Sequence, residues 1–577
     1  MINKLVRHLG SYKKDALLGP LLVIGEVGLD VVIPLLMARI VDIGIATSDI
    51  GYIAKMGGLM VLMALCSMVF GAFSVRYSAR ASAGLSKNLR EALFHKVQDF
   101  SFSNLDRFST ASLTTRLTTD VANTQNTVMM MLRMAVRAPV MLVCAVFMAM
   151  RIDTELVRVF LIAAPILAVV MGIIMSIAYP RFQKMLKQYD NMNAVVQENL
   201  IGIRVVKAFV REKHEKEKFT SAADQVKSTM FRAEKLTVFM MPVMQLVMYG
   251  CILAILWFGG GKVISTDIQT GDLMQFISYT TQILMSLMMI GMVFMMSILS
   301  RASISRIVEV LDEQPGITAP KEAASTVRDG SVAFKNVSFR YGEGSGSDTL
   351  RNINFEINAG ETVGIIGATG SAKTTLVQLI PRLYDVQEGA VLVGGRDVRE
   401  YDLKTLRDSV AMVLQNNVLF SGTIRENLKW GNENATDEEV ENACKVAQAH
   451  DFIMSFPKGY ETDLGQGGVN VSGGQKQRLC IARALLKKPK IMIMDDSTSA
   501  VDTATDYNIR KELSGNLAGM TTIVIAQRIA SVMDSDKIMV MDAGEIVAMD
   551  THDVLLETNE IYRDVYFSQQ KGVEESA

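Results

Sequence analysis

The sequence predicts a multidomain chain: an all-α domain of six transmembrane helices over residues 1–308, a linker over 309–330, and an α/β domain over 331–577. Three observations predict it. Apolar residues make up 49% of the 577, and the mean hydropathy of +0.24 is too high for an ordinary soluble protein. The excess lies in the first half, where six windows reach the roughly 20 apolar residues that a helix needs to cross a bilayer. From about Ser331 the pattern changes to short β-branched strands alternating with amphipathic helices, an α/β layout.

The net charge of −1 implies neither a polyanion binder nor an acidic tail, so no nucleic-acid partner is expected. The five cysteines, Cys66, Cys144, Cys251, Cys444 and Cys480, contain no Cys-x-x-Cys pair and read as buried thiols. No cleavable signal peptide is recognisable at the N-terminus. Residues Ile2 to Lys14 instead alternate Leu5, Val6 and Leu9 with Lys4, Arg7, Lys13 and Lys14, the pattern of a short helix lying at a membrane surface.

The apolar windows fall at about 16–42, 53–78, 129–150, 156–179, 237–264 and 272–299. The links after the first, third and fifth are short: Ile43–Tyr52, Arg151–Thr154 and Ser265–Gly271. Those after the second and fourth are long and rich in Lys and Arg, about 79–128 and 180–236. Basic residues concentrate on the cytoplasmic side, so both termini and both long links are placed inside, as helical extensions of the membrane domain. Each long link carries an interrupted helical pattern, around Leu105-Asp106-Arg107-Phe108 and Glu198-Asn199-Leu200-Ile201-Gly202.

After Arg306 hydrophobicity drops, and Asp312-Glu313-Gln314-Pro315-Gly316 reads as linker. The strand-like run Val332–Tyr341 ends on an aromatic. Val363-Gly364-Ile365-Ile366 then enters the glycine-rich turn Gly367-Ala368-Thr369-Gly370-Ser371-Ala372, and Lys373-Thr374-Thr375 opens a helix. Strand, glycine loop and helix N-terminus together form a P-loop, whose main-chain N–H groups and helix dipole hold phosphates. Lys373 would reach the terminal phosphates and Thr374 would place a hydroxyl on magnesium. The position before the lysine, usually glycine, is Ala372. Its methyl crowds the loop slightly but removes no donor.

Further along come Gln415 after the strand Val410–Val413, then Val471-Ser472-Gly473-Gly474-Gln475, and Ile491–Met494 ending on Asp495-Asp496. Ser499-Ala500-Val501-Asp502 and Ile523–Ala526 followed by Gln527 complete the series. This ordered set resembles the nucleotide-binding domain of the ATP-binding cassette (ABC) transporters, and the first half resembles the six-helix exporters of that superfamily. The resemblance implies that Tyr341 stacks on adenine, that Gly367, Thr369, Gly370, Ser371, Ala372, Lys373, Thr374 and Thr375 hold ATP, and that Gln415 also contacts the nucleotide and senses it and the membrane domain. It implies Mg2+ bound by Thr374, Gln415 and Asp495. Ser472, Gly473, Gly474 and Gln475 look like the signature that closes over ATP on a second subunit. The segments near Phe108 and Gly202 look like coupling helices that dock on nucleotide-binding domains.

Two departures stand at catalytic positions. The family's glutamate after the Walker B aspartate, which positions the attacking water, is here Asp496, one methylene shorter. Its switch histidine, which contacts the γ-phosphate, is here Gln527, and no histidine lies between His450 and His552. Misplacing a reacting group by about 1 Å can cost on the order of 100-fold in rate, and a neutral amide removes an electrostatic contribution as well. This site is expected to bind ATP and hydrolyse it poorly. Beside it, the intact signature resembles one subunit of a heterodimeric bacterial multidrug exporter, hydrolysing ATP mainly at the partner's site. A homodimer with two slow sites is the alternative.

For the cargo, Met285, Met288, Met292 and Met296 line one face of the last span, with Met289 and Met295 beside it, among 38 methionines in the chain. Such a stripe serves either packing or an adaptable binding surface. Glu26, Asp30, Arg133 and Arg137 are costly in lipid, and either line a polar cavity or pathway, pair with one another, or sit near an interface. With no peptidase domain ahead of the first span, hydrophobic or amphiphilic drugs or lipids moved out across the inner (plasma) membrane are the expected cargo. An ATP-gated channel or regulatory pseudo-ATPase is the reading from another class. The lack of an inserted regulatory region between the halves favours a pump.

Overall fold

Inside a bilayer no water satisfies the main chain, so each apolar stretch closes its own hydrogen bonds as a helix. The computed structural model describes residues 2–320, 322–342, 347–496, 501–516 and 519–574. It has six helical rods of 36 to 53 residues, each apolar enough to span. At 1.5 Å per residue these reach about 54–80 Å, well beyond the roughly 30 Å of hydrocarbon. Two compact units result: residues 1–98 with 111–313, and residues 99–110 with 314–577.

The first unit opens with α1 (Ile2–Arg7). Its Leu5 is buried and its Lys4 Nζ donates to Asp312 at 2.6 Å. Then come α2 (Lys13–Arg39) and α3 (Ile50–Gln98). The chain next passes through α4 (Phe102–Arg107), which belongs to the second unit, and α5 (Thr110–Thr115). The remaining helices of this unit are α6 (Val121–Ile152), α7 (Arg158–Ile201), α8 (Ile203–Ala208), α9 (Glu212–Val238), α10 (Met240–Ile264) and α11 (Thr270–Asp312). Helices α2, α3, α6 and α11 pack together, while α7 pairs with α9 and α10. Val27, Ala145, Ala149, Ile255, Phe276 and Tyr279 are buried at the centre, where Phe160 stacks on Phe276 at 5.4 Å.

The four intramembrane charges are now placed. Arg137 pairs with Glu26 and, at 2.8 Å, with Asp30, while Ser67 Oγ donates to Asp30 at 2.6 Å. The pairing ties α2, α3 and α6 together. Arg133 Nε is buried without a hydrogen-bond partner among the described residues. On α11, Met285, Met292 and Met296 are exposed and Met288 is half-buried, so three of the four methionines in the stripe are not covered by this chain.

The second unit begins with β1 (Val332–Phe339), β2 (Leu350–Ile357) and β3 (Thr362–Gly367), followed by α12 (Lys373–Gln378), β4 (Glu388–Val393), β5 (Arg396–Asp397), α13 (Leu403–Ser409) and β6 (Val410–Val413). A largely helical insert follows: β7 (Gly422–Thr423), α14 (Ile424–Lys429), α15 (Asp437–Val446), α16 (His450–Met454), β8 (Asp463–Leu464) and α17 (Gly473–Leu486). The chain closes with β9 (Ile491–Asp495), α18 (Thr503–Asn516), β10 (Thr521–Ile525), β11 (Lys537–Asp542), β12 (Glu545–Asp550), α19 (His552–Thr558) and α20 (Glu560–Glu574). One sheet runs β12-β11-β3-β10-β9-β6, parallel but for β12, and the other runs β2-β1-β4-β5, antiparallel. Every residue of β9 and β10 is buried, as continuous apolar runs covered on both faces must be. In such sheets ligands bind beyond the carboxyl ends of the strands.

Candidate ATP site

The parallel register decides which residues meet at that edge. Ile525 lies opposite both Asp495 and Ile365, Met541 opposite Gly367, and Val413 opposite Met494. Gly367 therefore closes β3 at that edge, and Gln415, Asp496 and Gln527 emerge just past the ends of neighbouring strands. A Cβ on Gly367 would lie 2.1 Å from the Met541 carbonyl oxygen, so glycine is required there.

The loop after β3 turns on two left-handed residues, Gly370 (φ 88°) and Ala372 (φ 68°), between neighbours of ordinary φ. That alternation gathers main-chain N–H groups into an anion-binding concavity. Thr369 and Gly370 are exposed and Ser371 is buried. Lys373 Nζ donates to the carbonyls of Gly367 at 2.9 Å and Ala368 at 2.8 Å, and to Ser371 Oγ at 3.2 Å. Burial pushes the Lys373 ammonium below its ordinary value, against the pull of Asp495 and Asp496.

Thr374 Oγ1 donates to Asp495 Oδ1 at 3.0 Å. Asp495 is only 1% exposed, and its Oδ2 is buried with no hydrogen-bond partner among the described residues. Burial pushes its carboxyl up. A hydroxyl and an orphaned carboxylate oxygen side by side form a hard-oxygen donor set, the kind that suits a small divalent cation.

Asp496 holds φ 48° and Gln527 Nε2 donates to its Oδ2 at 2.8 Å. Burial pushes Asp496 up and the Gln527 hydrogen bond opposes it. The two residues that depart from the expected pattern thus touch each other.

Tyr341 stands at the other side of the loop. Its hydroxyl bonds with Thr375 Oγ1 at 3.0 Å, and its ring is braced edge-on by Phe339 and Tyr384. Tyr384 donates in turn to Asp106 Oδ2 on α4 at 2.7 Å, and burial, with Asp106 beside it, pushes the Tyr384 phenol up. Sequence reasoning missed Tyr384; an aromatic shortly after the helix that the P-loop opens was the available signal, and the fold sets it against Phe339 at the end of β1.

Ser472, Gly473, Gly474 and Gln475 open the 14-residue helix α17. The Gln475 N–H donates to Ser472 Oγ at 3.3 Å and the Ser472 N–H to Gln475 Oε1 at 2.9 Å, a reciprocal cap on an exposed helix N-terminus. Gln415 is exposed just past β6. Ser499 and Ala500 lie outside the described residues.

Residues 17–301 match the ABC transporter transmembrane region and residues 350–499 the ABC transporter model. The chain is 38% identical over 568 residues to the uncharacterized ABC transporter ATP-binding protein YfiB of Bacillus subtilis, covering 98% of both chains. It is 31% identical over 586 residues to the putative multidrug export ATP-binding/permease protein YgaD of the same organism, covering 99% of both. An ATP-dependent lipid A-core flippase of Syntrophus aciditrophicus is 32% identical over 501 residues, 85% of this chain and 81% of that one. A bacterial Atm1-family ABC exporter, solved with ATP bound, superposes with a TM-score of 0.83 at 26% identity, covering 97% of this chain and 98% of that one. The glycine loop, the paired carboxylates and the six spans together mean that this multi-pass membrane protein belongs to the ABC transporter family, with the fold of an exporter and an ATP-binding domain.

Proposed function

We propose that this chain is one subunit of a two-chain, ATP-driven exporter of hydrophobic or amphiphilic compounds, and that its own site holds ATP but hydrolyses it poorly. The observation that carries the reading is the Asp496–Gln527 contact at 2.8 Å. Asp496 is one methylene short of the usual water-positioning glutamate, and an amide hydrogen occupies its Oδ2. A carboxylate so engaged is a weak base and a poor orienter of water.

In this reading Tyr341 stacks on adenine, and Gly367 to Thr375 cradle the phosphates with Lys373 at the terminal ones. Thr374, Asp495 and Gln415 would hold Mg2+, which when bound neutralises charge on the phosphate oxygens. Ser472, Gly473, Gly474 and Gln475 complete the partner subunit's ATP site. The domains divide at 1–308 and 331–577, joined by 309–330, with both termini and the nucleotide-binding domain cytoplasmic.

An assembled partner is also supported by α8 and its flanks. Leu200, Ile201, Val205, Phe209 and Val210 are 61–79% exposed, an apolar tip that a lone chain leaves in water. The exposed methionines of α11 provide an adaptable apolar surface for cargo, in keeping with relatives named for multidrug export and as a lipid A-core flippase.

Lys373→Ala tests the unequal sites. It removes the ammonium from this chain's loop, so ATP binding there should fall, while turnover of the assembled pair falls less than after the equivalent change in the partner. Equal loss from the two changes would contradict the reading.

A further inference from the structure

The switch segment leaves its strand ladder just before it matters. β10 ends at Ile525, and the Ala526 N–H makes the last cross-strand bond, to the Ile365 carbonyl at 3.3 Å. Beyond it, the Gln527 carbonyl and the Ile529 N–H are two residues apart, the spacing at which a neighbouring strand would accept and donate. One side chain does both. Gln569 Nε2 donates to the Gln527 carbonyl at 2.8 Å, and Gln569 Oε1 accepts from the Ile529 N–H at 2.9 Å.

Gln569 is held in place by the rest of α20. Tyr562 is fully buried, its hydroxyl hydrogen-bonds with His552 Nδ1 at 2.6 Å, and its N–H is capped by Asn559 Oδ1 at 2.9 Å. Val565 and Tyr566 pack on the same core that contains Ile529 and Val532. Tyr562, Tyr566 and Gln569 stand at i, i+4 and i+7, one face of the helix. The polar residue at the end of that otherwise apolar face meets main-chain polar groups. A glutamine satisfies both; a glutamate would set oxygen against the Gln527 carbonyl.

We propose that Gln569 is a positioning residue for the nucleotide site: the C-terminal helix clamps the segment bearing Gln527, and through it sets the Gln527–Asp496 pair against the terminal phosphate. This rests on the reading that Gln527 stands at the γ-phosphate position. The clamp places the response to ATP, as distinct from ADP, under the control of the last helix of the chain.

The test uses the full chain in lipid nanodiscs, with ATPγS and ADP each titrated in the presence of Mg2+. Gln569→Ala, and independently Gln569→Glu, should weaken ATPγS binding about fivefold, the scale of one net hydrogen bond, and change ADP binding less than about twofold. Hydrogen exchange at Ile529 should quicken in Gln569→Ala and stay protected in Gln569→Glu, which keeps the acceptor. Gln527→Ala is the control. If it lowers the ATPγS preference and the Gln569 variants do not, the clamp is overturned while the role of Gln527 stands. If neither changes the preference, the reading of Gln527 fails and the proposal with it. Equal weakening of ATPγS and ADP would make Gln569 a mere fold anchor and overturn the proposal.

Discussion

Ala372 holds φ 68° at the mouth of the loop, a region where a Cβ crowds its own carbonyl at a cost of about 1–2 kcal/mol. Ala372→Gly removes that strain, and the extra freedom of the unfolded glycine returns about half of it. The variant should be roughly 0.5–1 kcal/mol more stable by denaturant unfolding of the full chain, with ATP bound more tightly. Lower stability would mean that the loop is not strained there. The residue string showed an alanine at a glycine position but carries no dihedral angle, so the expected effect was crowding, whereas the structure finds backbone strain. Asp496 and Gln527 are likewise legible as departures. Their contact is not, because 31 positions separate them and the β9–β10 register is what brings them together.

Elements with a strong period were the most legible. The six spans follow from unbroken apolar windows, and the parallel strands from short buried runs bounded by turns. What holds elements to each other was less so, as the Arg137 pairing with Glu26 and Asp30 shows: the sequence left open a polar pathway, a mutual ion pair and a position near an interface. At the base of the parallel sheet, Glu361 accepts from the Asn358 N–H and Nδ2, each at 2.8 Å, and pairs with Lys537 at 3.0 Å, fastening the start of β3 to that of β11. Burial acts to raise Glu361, but the Asn358 bonds and Lys537 outweigh it and hold the carboxyl below its ordinary 4.5. A depressed carboxylate contributes stability that is full above the unfolded value and is lost as pH falls through the folded one. Glu361→Gln should therefore cost about 1 kcal/mol at pH 7, with the gap to the native chain closing below about pH 4 in chemical denaturation. A gap unchanged between pH 7 and pH 3.5 would contradict this role.

For the molecule as a whole, the order of motifs along the chain was enough to read the family, because each motif is a local arrangement of strand, loop and helix. Assembly was not legible in the same way: α8 and one face of α11 leave apolar side chains exposed on this chain. Orientation can be tested directly. A cysteine placed at Ser48, between α2 and α3, should react with an impermeant reagent in intact cells, while one placed at Lys213, on α9, should react only once the cells are opened; labelling of both in intact cells would overturn the topology. The central claim is that this chain's own ATP site is the impaired one, and Asp496→Asn tests it most directly. In the complex with both subunits present, ATPase activity should stay within about twofold of the native rate, since a carboxylate too short to place water loses little as an amide. Near-complete loss of activity would make Asp496 a working catalytic carboxylate and would contradict the account.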